Sequence, residues 1–406
     1  MSLVSSEFCT GCAACVNVCP KSAIHMQSDC EGFLQPIINK EFCVNCGLCE
    51  NVCPLPILDR LCPVQIDKNP VCGITTNTKI WRESSSGGAF TEICEAVRCR
   101  NPIVFGACFK EDLSVYHRYV TSVDEISPFR KSKYVQSDVG FTFRQCRDFL
   151  ESGRYVLYSG TPCQIAGLRS YLGHDSPNLL CVEFICHGVG SPLVFKKSIK
   201  AVAAQKNEVL LRYEFRTKES GLGDDTYCSL YTFKTGRSMS VVRDIYNKLF
   251  LNQLCLRKSC MENCRFRNSR RFADITMGDA RGEETIYADK GNKNWSVIIA
   301  NTQKGEDVMR MLGKSMDVRP YPIALLAKTN PLYFRTTRGN PMRDNFFRDF
   351  RKGISVWRLA HKYAPDCCGS RFESSVAGAL RNLLCVTGLL PIVQKLRQYL
   401  REARIH

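Results

Sequence analysis

Two cysteine-rich runs near the start of the chain carry its strongest chemical signal. Residues 9–20 are CTGCAACVNVCP and residues 43–54 are CVNCGLCENVCP, so both runs have the spacing C-x2-C-x2-C-x3-C-P. In such runs three closely spaced thiolates bind one [4Fe-4S] cluster, and the Cys before the Pro binds the neighbouring cluster. The spacing therefore predicts two clusters with crossed ligation. One takes Cys9, Cys12, Cys15 and Cys53, and the other takes Cys43, Cys46, Cys49 and Cys19.

Two other uses of these cysteines are a pair of zinc knuckles and a disulfide framework. Zinc sites usually bring two Cys pairs separated by a longer loop, or Cys together with His. An eight-cysteine run that is duplicated with both prolines fits neither pattern. The stretch resembles a bacterial dicluster ferredoxin over residues 1–58, which implies a hairpin of two short strands at 24–26 and 33–38. Cys30 lies in the turn of that hairpin and is expected to be a bystander.

Cysteine content also bears on the cellular compartment. The chain has 406 residues, 44% of them hydrophobic, and 25 cysteines. Its opening, MSLVSSEF, lacks the basic and apolar regions of a signal peptide. Cysteine use without export indicates metal thiolates in a reducing compartment, so the expected location is cytoplasmic.

Charge is distributed unevenly along the chain. The net formal charge is +17, but residues 1–58 have two basic and five acidic side chains, a net charge of −3, and the remainder carries +20. This polarity favours an acidic electron carrier such as ferredoxin, and anionic substrates, as partners of a basic body. Nucleic acid is the alternative partner. No helix-turn-helix or RNP-type motif is present and the basic residues are dispersed, so no nucleic acid is expected.

The stretch after the cysteine runs predicts a linker and then a second domain. Residues 59–78 are proline-containing with few apolar runs, which is typical of a linker with extended segments. From Lys79 onward, the Ser/Gly loop at 84–88 precedes a helical pattern. Such a loop forms either an anion-binding nest or a simple helix cap with a flexible entry. Lys131, Lys133 and Tyr134 form a small basic and aromatic cluster that is either a binding feature or a solvated face.

Several later segments predict strands, and two of them end at a cysteine. NPIVFGACF, LSVYHRYV and NWSVIIANT are expected strands, and residues 209–243 alternate as β-structure does. Residues 154–172 predict a strand, a tight turn containing Cys163 and a helix. Residues 178–192 repeat this logic, with Cys186 and His187 at the turn. Ligands bind at strand ends of α/β sheets, whereas a lone Cys there is most often a small buried residue.

The C-terminal region is basic, with 14 Lys or Arg and five Asp or Glu over residues 331–406. Apolar residues fall on one helical face at positions 389, 392, 393, 396 and 400. Two interpretations are open: a packed terminal helix, or a basic surface-seeking helix that contacts a membrane or a partner protein. The longest uncharged run is too short to span a bilayer.

Five motifs occur together and in a fixed order after the first domain. They are SSSGG at 84–88, SKYVQS at 132–137, SGTPCQIAGL at 159–168, ICHGVGSP at 185–192 and DITMGD at 274–279. In combination they resemble the coenzyme F-420 hydrogenase/dehydrogenase beta-subunit family over roughly residues 80–310, and a dicluster ferredoxin module in front is a common arrangement there. Many bacterial members resemble proteins of cell-surface polysaccharide gene clusters.

The resemblance implies cofactors and residues. Family members are flavoproteins, mostly with FAD, that carry an iron–sulfur centre beside the flavin. Its expected ligands match Cys163, Cys186, Cys260 and Cys264, and Arg257, Lys258 and Arg265 would offset their charge. The flavin contacts expected here are Ser84, Ser85, Ser86, Gly87, Gly88, Lys133, Tyr134 and Thr161. His187 is expected either to donate a proton or to make a structural hydrogen bond.

This chain departs from the family pattern at three places. The late cysteine pair, usually C-x2-C, is C-x3-C. The usual GDFWG is Gly278 to Gly282 without its two aromatic residues. The usual Pro of the CHG turn is Gly190.

The sequence therefore predicts a fold class of α+β and α/β. A dicluster ferredoxin-like module occupies 1–58, a linker 59–78, an α/β flavin-binding body 79–315 and a basic helical region 316–406. The predicted function is electron transfer between ferredoxin or a similar carrier, [4Fe-4S] clusters and FAD, for hydride-type reduction of a small-molecule organic acceptor. The alternatives are an electron-relay subunit whose substrate site lies on a partner, and an iron–sulfur protein that binds nucleic acid.

Overall fold

The computed structural model describes residues 3–61, 63, 65–218, 228–261, 264–267, 271–282, 294–336 and 338–365. The chain divides into a compact unit, Met1–Tyr363, and a second unit, Ala364–His406, nearly all of which lies outside the described residues. The predicted amphipathic helix at 389–400 therefore lies outside them as well.

The N-terminal module consists of short elements separated by the cysteine loops. They are α1 (Ala14–Val18), β1 (Ile24–Ser28), β2 (Leu34–Ile38), α2 (Leu48–Asn51) and α3 (Leu58–Leu61). Strands β1 and β2 pair antiparallel, with Ile24 opposite Ile38. The predicted hairpin is thus confirmed, and Cys30 is exposed in its turn.

The rest of the described chain alternates strands and helices. Its strands are β3 (Val71–Thr75), β4 (Ile103–Phe109), β5 (Val115–Val120), β6 (Val156–Gly160), β7 (Leu179–Phe184), β8 (Leu210–Glu214), β9 (Cys228–Phe233), β10 (Ser238–Val242), β11 (Ile275–Ala280), β12 (Trp295–Ala300) and β13 (Met316–Pro320). Its helices are α4 (Thr78–Arg82), α5 (Ala89–Ala96), α6 (Thr142–Glu151), α7 (Pro162–Leu172), α8 (Pro192–Lys206), α9 (Ile245–Leu251), α10 (Gln303–Leu312), α11 (Ile323–Thr329), α12 (Arg343–Arg351) and α13 (Val356–Tyr363). Within the described ranges, no helix has the length and apolar character needed to cross a bilayer.

The body is built on an eight-stranded mixed sheet with the order β13-β3-β12-β11-β7-β6-β4-β5. Its centre is parallel, because β4 pairs with β6, β6 with β7, and β7 with β11 in that sense. Its flanking strands pair antiparallel. Strands β8, β9 and β10 form a separate antiparallel sheet. The prediction of a mixed α/β protein is confirmed. The antiparallel strands at its two flanks make the sheet mixed rather than purely parallel.

Two predicted segment boundaries need correction. The linker assigned to 59–78 contains β3, which lies inside the large sheet between β12 and β13. The helical region assigned to 316–406 begins with β13, which also belongs to that sheet. Both strands are only five residues long. Their short apolar runs are flanked by prolines or charges, so periodicity alone does not reveal them.

The N-terminal module and the body share one hydrophobic core. Buried residues of the module, including Val16 and Ile24, belong to the same apolar cluster as Phe143 and Ile165 of the body. Helix α1 packs against α6 and α7. The module is therefore an integral part of the compact unit.

Arginines of the body fasten the module through its backbone. Arg144 on α6 donates from Nε to the Asn17 carbonyl at 2.6 Å and from Nη2 to the Cys19 carbonyl at 2.7 Å. Arg257 donates to the carbonyls of Cys9 at 2.9 Å and Leu34 at 3.0 Å. Hydrogen bonds from a charged donor are stronger than neutral ones, so these contacts hold the cysteine loops in place.

We predict that Arg144→Met lowers the free energy of unfolding by about 2 kcal/mol, because it leaves carbonyls of the first cysteine loop without their charged donor. Met has a helix propensity close to that of Arg, so α6 itself should not be affected. Urea unfolding of the full chain measures the change. Arg147→Met is the matched control, because Arg147 lies on the same helix and pairs at the surface with Asp148. Equal destabilisation by both variants would contradict the assignment.

Candidate functional site

The first group of thiols surrounds the start of α1. Cys12 and Cys15 are half-buried, and desolvation is the main cause that raises the pKa of Cys12 to about 12. Cys9 and Cys53 raise it further through their charge. Desolvation is also the main cause that raises the pKa of Cys15, followed by the charges of Cys12, Cys9 and Cys53. Cys53, from the second cysteine run, therefore lies beside the three thiols of the first run.

The second group lines a cavity at the other side of the module. Cys19, from the first run, faces this cavity together with Cys43, Cys46 and Cys49 of the second. The exchange of one cysteine between the runs is the arrangement that crossed ligation requires. Cys46 is exposed, whereas Cys49 is buried, so this cavity lies close to the surface.

The third group lies in the body, where two strand ends meet. Strands β6 and β7 are parallel neighbours, so the turns that follow them lie at the same edge of the sheet. These turns supply Cys163 and Cys186. A later loop supplies Cys260 and Cys264, and all four residues line one cavity. The structure thus brings together the four cysteines that the resemblance singled out, despite the extra residue in the late pair.

One cation faces this body cavity. Arg267 lines the cavity and is only 4% exposed, and its Nε, Nη1 and Nη2 atoms have no hydrogen-bond partner among the described residues. Burial raises the pKa of Cys186 to about 12, and the nearby Arg267 guanidinium acts in the opposite direction. A thiolate-rich anion is the kind of occupant that an unpaired buried guanidinium stabilises.

The cations that sequence proximity indicated serve the module instead. Arg257 donates to its backbone carbonyls, and Lys258 forms an ion pair with Glu7 at 2.7 Å. Arg265 is exposed and reaches the Leu55 carbonyl at 3.4 Å. Arg267 lies only two residues after Arg265. Because of the path of the loop, Arg267 lines the body cavity whereas Arg265 is exposed.

The first and third thiol groups are neighbours. Thr10 and Gly11 of the first cysteine loop line the body cavity. Cys12 approaches α7 so closely that a Cβ atom on Gly167 would lie 3.0 Å from its sulfur. The charge of Cys12 also raises the pKa of Cys163. A larger residue at 167 would push the two groups apart.

The geometry of these groups suits a cluster better than a single ion. A zinc ion lies about 2.3 Å from each sulfur and so draws its ligands close together. Among the described residues, no three Cys, His, Asp or Glu side chains are placed to hold one metal ion. A cluster of four irons and four sulfides is larger and keeps its thiolates further apart. Groups of four cysteines, with the C-x2-C-x2-C-x3-C-P spacing in the two runs of the module, are the donor sets that [4Fe-4S] clusters take, so the residues present fit such clusters.

The Ser/Gly loop at 84–88 is hydrogen-bonded to strand β12 and to helix α4. Ser86 donates to the Trp295 carbonyl at 2.5 Å, and the Gly87 N–H donates to Ser296 Oγ at 2.9 Å. Ser84 donates to the Ile80 carbonyl. Gly88 is the N-cap of α5 and makes no side-chain cap. These groups already have protein partners, so a phosphate would bind through other groups of the loop.

The other predicted flavin contacts fall into two places. Ser85 Oγ accepts the Ser132 N–H at 2.8 Å, which joins the Ser/Gly loop to the segment carrying Lys133 and Tyr134. Lys133 Nζ donates to the Arg130 carbonyl at 2.7 Å, and burial lowers its pKa to about 7. Thr161 instead caps α7 and lies 3.1 Å from the Cys163 sulfur, at the body cavity.

Aromatic rings connect these two places. The Tyr134 ring stacks on Phe250 at 4.8 Å, and Phe250 lies 5.3 Å from the His187 ring beside Cys186. Nε2 of His187 has no partner in the described part of the chain. Burial, followed by Arg267 and Arg281, lowers its pKa to about 4, so the imidazole is neutral at neutral pH.

Two of the departures from the family pattern have a visible structural setting. A Cβ atom on Gly190 would lie 2.1 Å from the Tyr246 hydroxyl, so a Pro does not fit there. In the altered Gly278 to Gly282 motif, Asp279 pairs with Arg216 at 2.8 Å.

These features define an iron–sulfur electron-transfer protein. Residues 8–57 match the family model of the 4Fe-4S dicluster domain, and residues 153–321 match that of the C terminus of the coenzyme F420 hydrogenase/dehydrogenase beta subunit. The chain thus carries a stretch that matches a 4Fe-4S dicluster domain, followed by a stretch that matches the C terminus of the F420 hydrogenase/dehydrogenase beta subunit, and the resemblance seen in the sequence is confirmed.

The solved structures that are similar to this chain include a subunit of a hydrogenase complex. A chain of the F420-reducing [NiFe] hydrogenase complex from Methanosarcina barkeri is 14% identical with a TM-score of 0.41, over 74% of this chain and 93% of that one. No curated protein matches the chain.

We predict that Cys19→Ser damages the cluster of the second cysteine run rather than that of the first. The reason is that Cys19 faces the cavity lined by Cys43, Cys46 and Cys49. Iron analysis and EPR spectroscopy of the reduced protein measure the loss. Cys30→Ser is the control, because Cys30 is exposed in the hairpin turn. Loss confined to the cluster of Cys9, Cys12 and Cys15 would exclude crossed ligation.

Proposed function

We propose that this chain is an iron–sulfur flavoprotein oxidoreductase. It would exchange electrons between ferredoxin or a similar carrier and an organic acceptor, with three [4Fe-4S] clusters and FAD as its cofactors. Iron–sulfur clusters carry single electrons, and a flavin links one-electron to two-electron chemistry. The observation that carries the proposal is the meeting of Cys163, Cys186, Cys260 and Cys264 at a cavity adjoining the first cysteine loop.

The three thiol groups lie in an order that suits electron entry from outside. The second group contains the exposed Cys46, the thiols of the first group are all half-buried, and the first group adjoins the body cavity through Cys12 and Gly167. Backbone bonds from Arg144 and Arg257 fix this order. The chain's part is thus to hold the groups at short and constant separations.

The surface around the outermost group supports docking of a carrier there. Phe42, Val44 and Leu48 are large apolar side chains left 60%, 58% and 41% exposed, and Val44 and Leu48 line the cavity itself. Lys21 also lines it. Exposed apolar side chains beside the outermost cysteines suit contact with a carrier that presents its own redox centre.

The flavin is proposed to lie against the Ser84–Gly88 loop and the Lys133 segment. The Ser85–Ser132 contact joins these two segments, and the rings of Tyr134, Phe250 and His187 lead from them towards the body cavity. Lys133 lies in the second of these segments, and a negatively charged part of the cofactor beside its amine would raise its pKa and favour the charged form. The Ser84–Gly88 loop, Lys133 and Tyr134 are the flavin contacts that the family resemblance suggested.

A second candidate function is an electron-relay subunit whose substrate site lies on a partner protein. The matched family is described as a hydrogenase/dehydrogenase beta subunit, which favours this alternative. Dye reduction by the purified chain without turnover of any metabolite would support the relay, whereas turnover of an organic acceptor would support the oxidoreductase.

The full chain purified without oxygen is expected to hold about twelve irons, since three clusters have four irons each. Cys163→Ala should lower the content by about four irons and leave the clusters of the module intact. Cys181→Ala is the matched control, because Cys181 is a fully buried cysteine on β7 that does not line the cavity. Zinc in place of iron, or an unchanged iron content in folded Cys163→Ala, would exclude a cluster at this site.

The proposed flavin site predicts that Lys133→Met lowers the flavin content by at least tenfold while iron content stays constant. The reason is the loss of an amine that takes up a positive charge beside the cofactor's phosphate or ring. Release of the flavin by acid, followed by chromatography, identifies and quantifies it. Lys79→Met is the control because Lys79 is exposed on α4. Flavin retained by Lys133→Met at the level of that control would place the cofactor elsewhere.

A further inference from the structure

We propose that Arg267 is the residue that sets the reduction potential of the cluster held by Cys163, Cys186, Cys260 and Cys264. This inference rests on the proposed function, because it requires a cluster at the body cavity. The observation behind it is a guanidinium that lines this cavity with none of its three nitrogens bonded to any described residue.

An unpaired guanidinium at 4% exposure is costly to bury. The other buried arginines near the module have partners: Arg257 donates to two carbonyls, and Arg343 donates to the Leu256 carbonyl at 2.7 Å. Arg267 differs because its partner is missing from the polypeptide described. The cost is offset when the cavity holds an anion, and four thiolates with a cluster are such an anion.

Electrostatics gives the direction of the effect. Reduction adds one electron, and so one negative charge, to the group that the four thiolates hold. A fixed positive charge beside that group stabilises the reduced form more than the oxidised form, which raises the potential. Among the described residues lining the cavity, Arg267 is the only cation, so the effect should depend on this side chain. The low dielectric of a buried site leaves the interaction weakly screened.

Placement of Arg267 fits a role in tuning. Cys260 and Cys264 belong to the same loop as Arg267, whereas Cys163 and Cys186 follow strands β6 and β7 of the sheet. This loop therefore contributes two of the four cysteines and also the positive charge that faces them. Arg265 on that loop is exposed and lies towards Leu55, so it is a cation of equal charge that solvent screens.

The experiment uses the full chain, purified without oxygen, in four forms: wild type, Arg267→Gln, Arg267→Lys and Arg265→Gln. Iron and sulfide are measured first, and then each protein is titrated with a redox mediator while the cluster is followed by EPR. The signal of the body cluster is the one that disappears in Cys163→Ala. Arg267→Gln is expected to lower the ratio of reduced to oxidised cluster at least tenfold at a fixed potential, about 59 mV for a one-electron couple.

The two other variants separate charge from shape. Arg267→Lys keeps the positive charge and should titrate close to wild type, as should Arg265→Gln. A potential in Arg267→Gln equal to that of Arg265→Gln overturns the proposal, and so does an equal shift in Arg267→Lys. If Arg267→Gln loses the four irons, retention by Arg267→Lys supports the electrostatic role, and loss in both overturns it.

Failure of the proposed function has a different signature. A wild-type chain without iron at the Cys163 site would show no signal that disappears in Cys163→Ala. In that case the cluster itself is absent, whatever Arg267 does.

Discussion

The parallel pairing of β6 with β7 is the constraint on which the body depends. Parallel strands end at the same edge of a sheet, so the turn carrying Cys163 and the turn carrying Cys186 must be neighbours. The conformational preferences of the two turns alone would not make them neighbours. The loop with Cys260 and Cys264 then has to approach that edge, and Arg267 follows it into the interior. The antiparallel strands at the flanks of the sheet contribute no cysteine to this cavity, so the site does not depend on their direction.

The N-terminal module depends on the same edge. Its first cysteine loop contributes Thr10 and Gly11 to the body cavity, and its helix α1 packs against α7, which begins at Pro162 beside Cys163. Arg144 and Arg257 bind the carbonyls of the cysteine loops rather than side chains. Such contacts constrain the backbone of the module, and this backbone sets the positions of the cysteine ligands. The module therefore resembles a subdomain of the body more than a tethered partner.

Sequence reasoning succeeded where spacing carries the information. Eight of the nine cysteines in the first 54 residues are recognisable by their repeated spacing, and Cys163 and Cys186 stand at recognisable strand ends. It failed where contact depends on the path of a loop. Arg257 and Lys258 are adjacent to the late cysteines in sequence but reach the module, whereas Arg267 enters the cavity. Strand β3 was missed because five residues between a proline and a turn carry too little periodicity, although Cys72, its second residue, is fully buried.

The core shared by module and body has a mechanical consequence. Many electron-transfer proteins carry a redox domain on a flexible tether, so that diffusion of the domain limits the rate. Here Val16 and Ile24 of the module pack in one apolar cluster with Phe143 and Ile165 of the body. The separation between Cys12 and Cys163 is thus fixed by packing, and solvent viscosity should act on the arrival of an external carrier rather than on passage between these two sites.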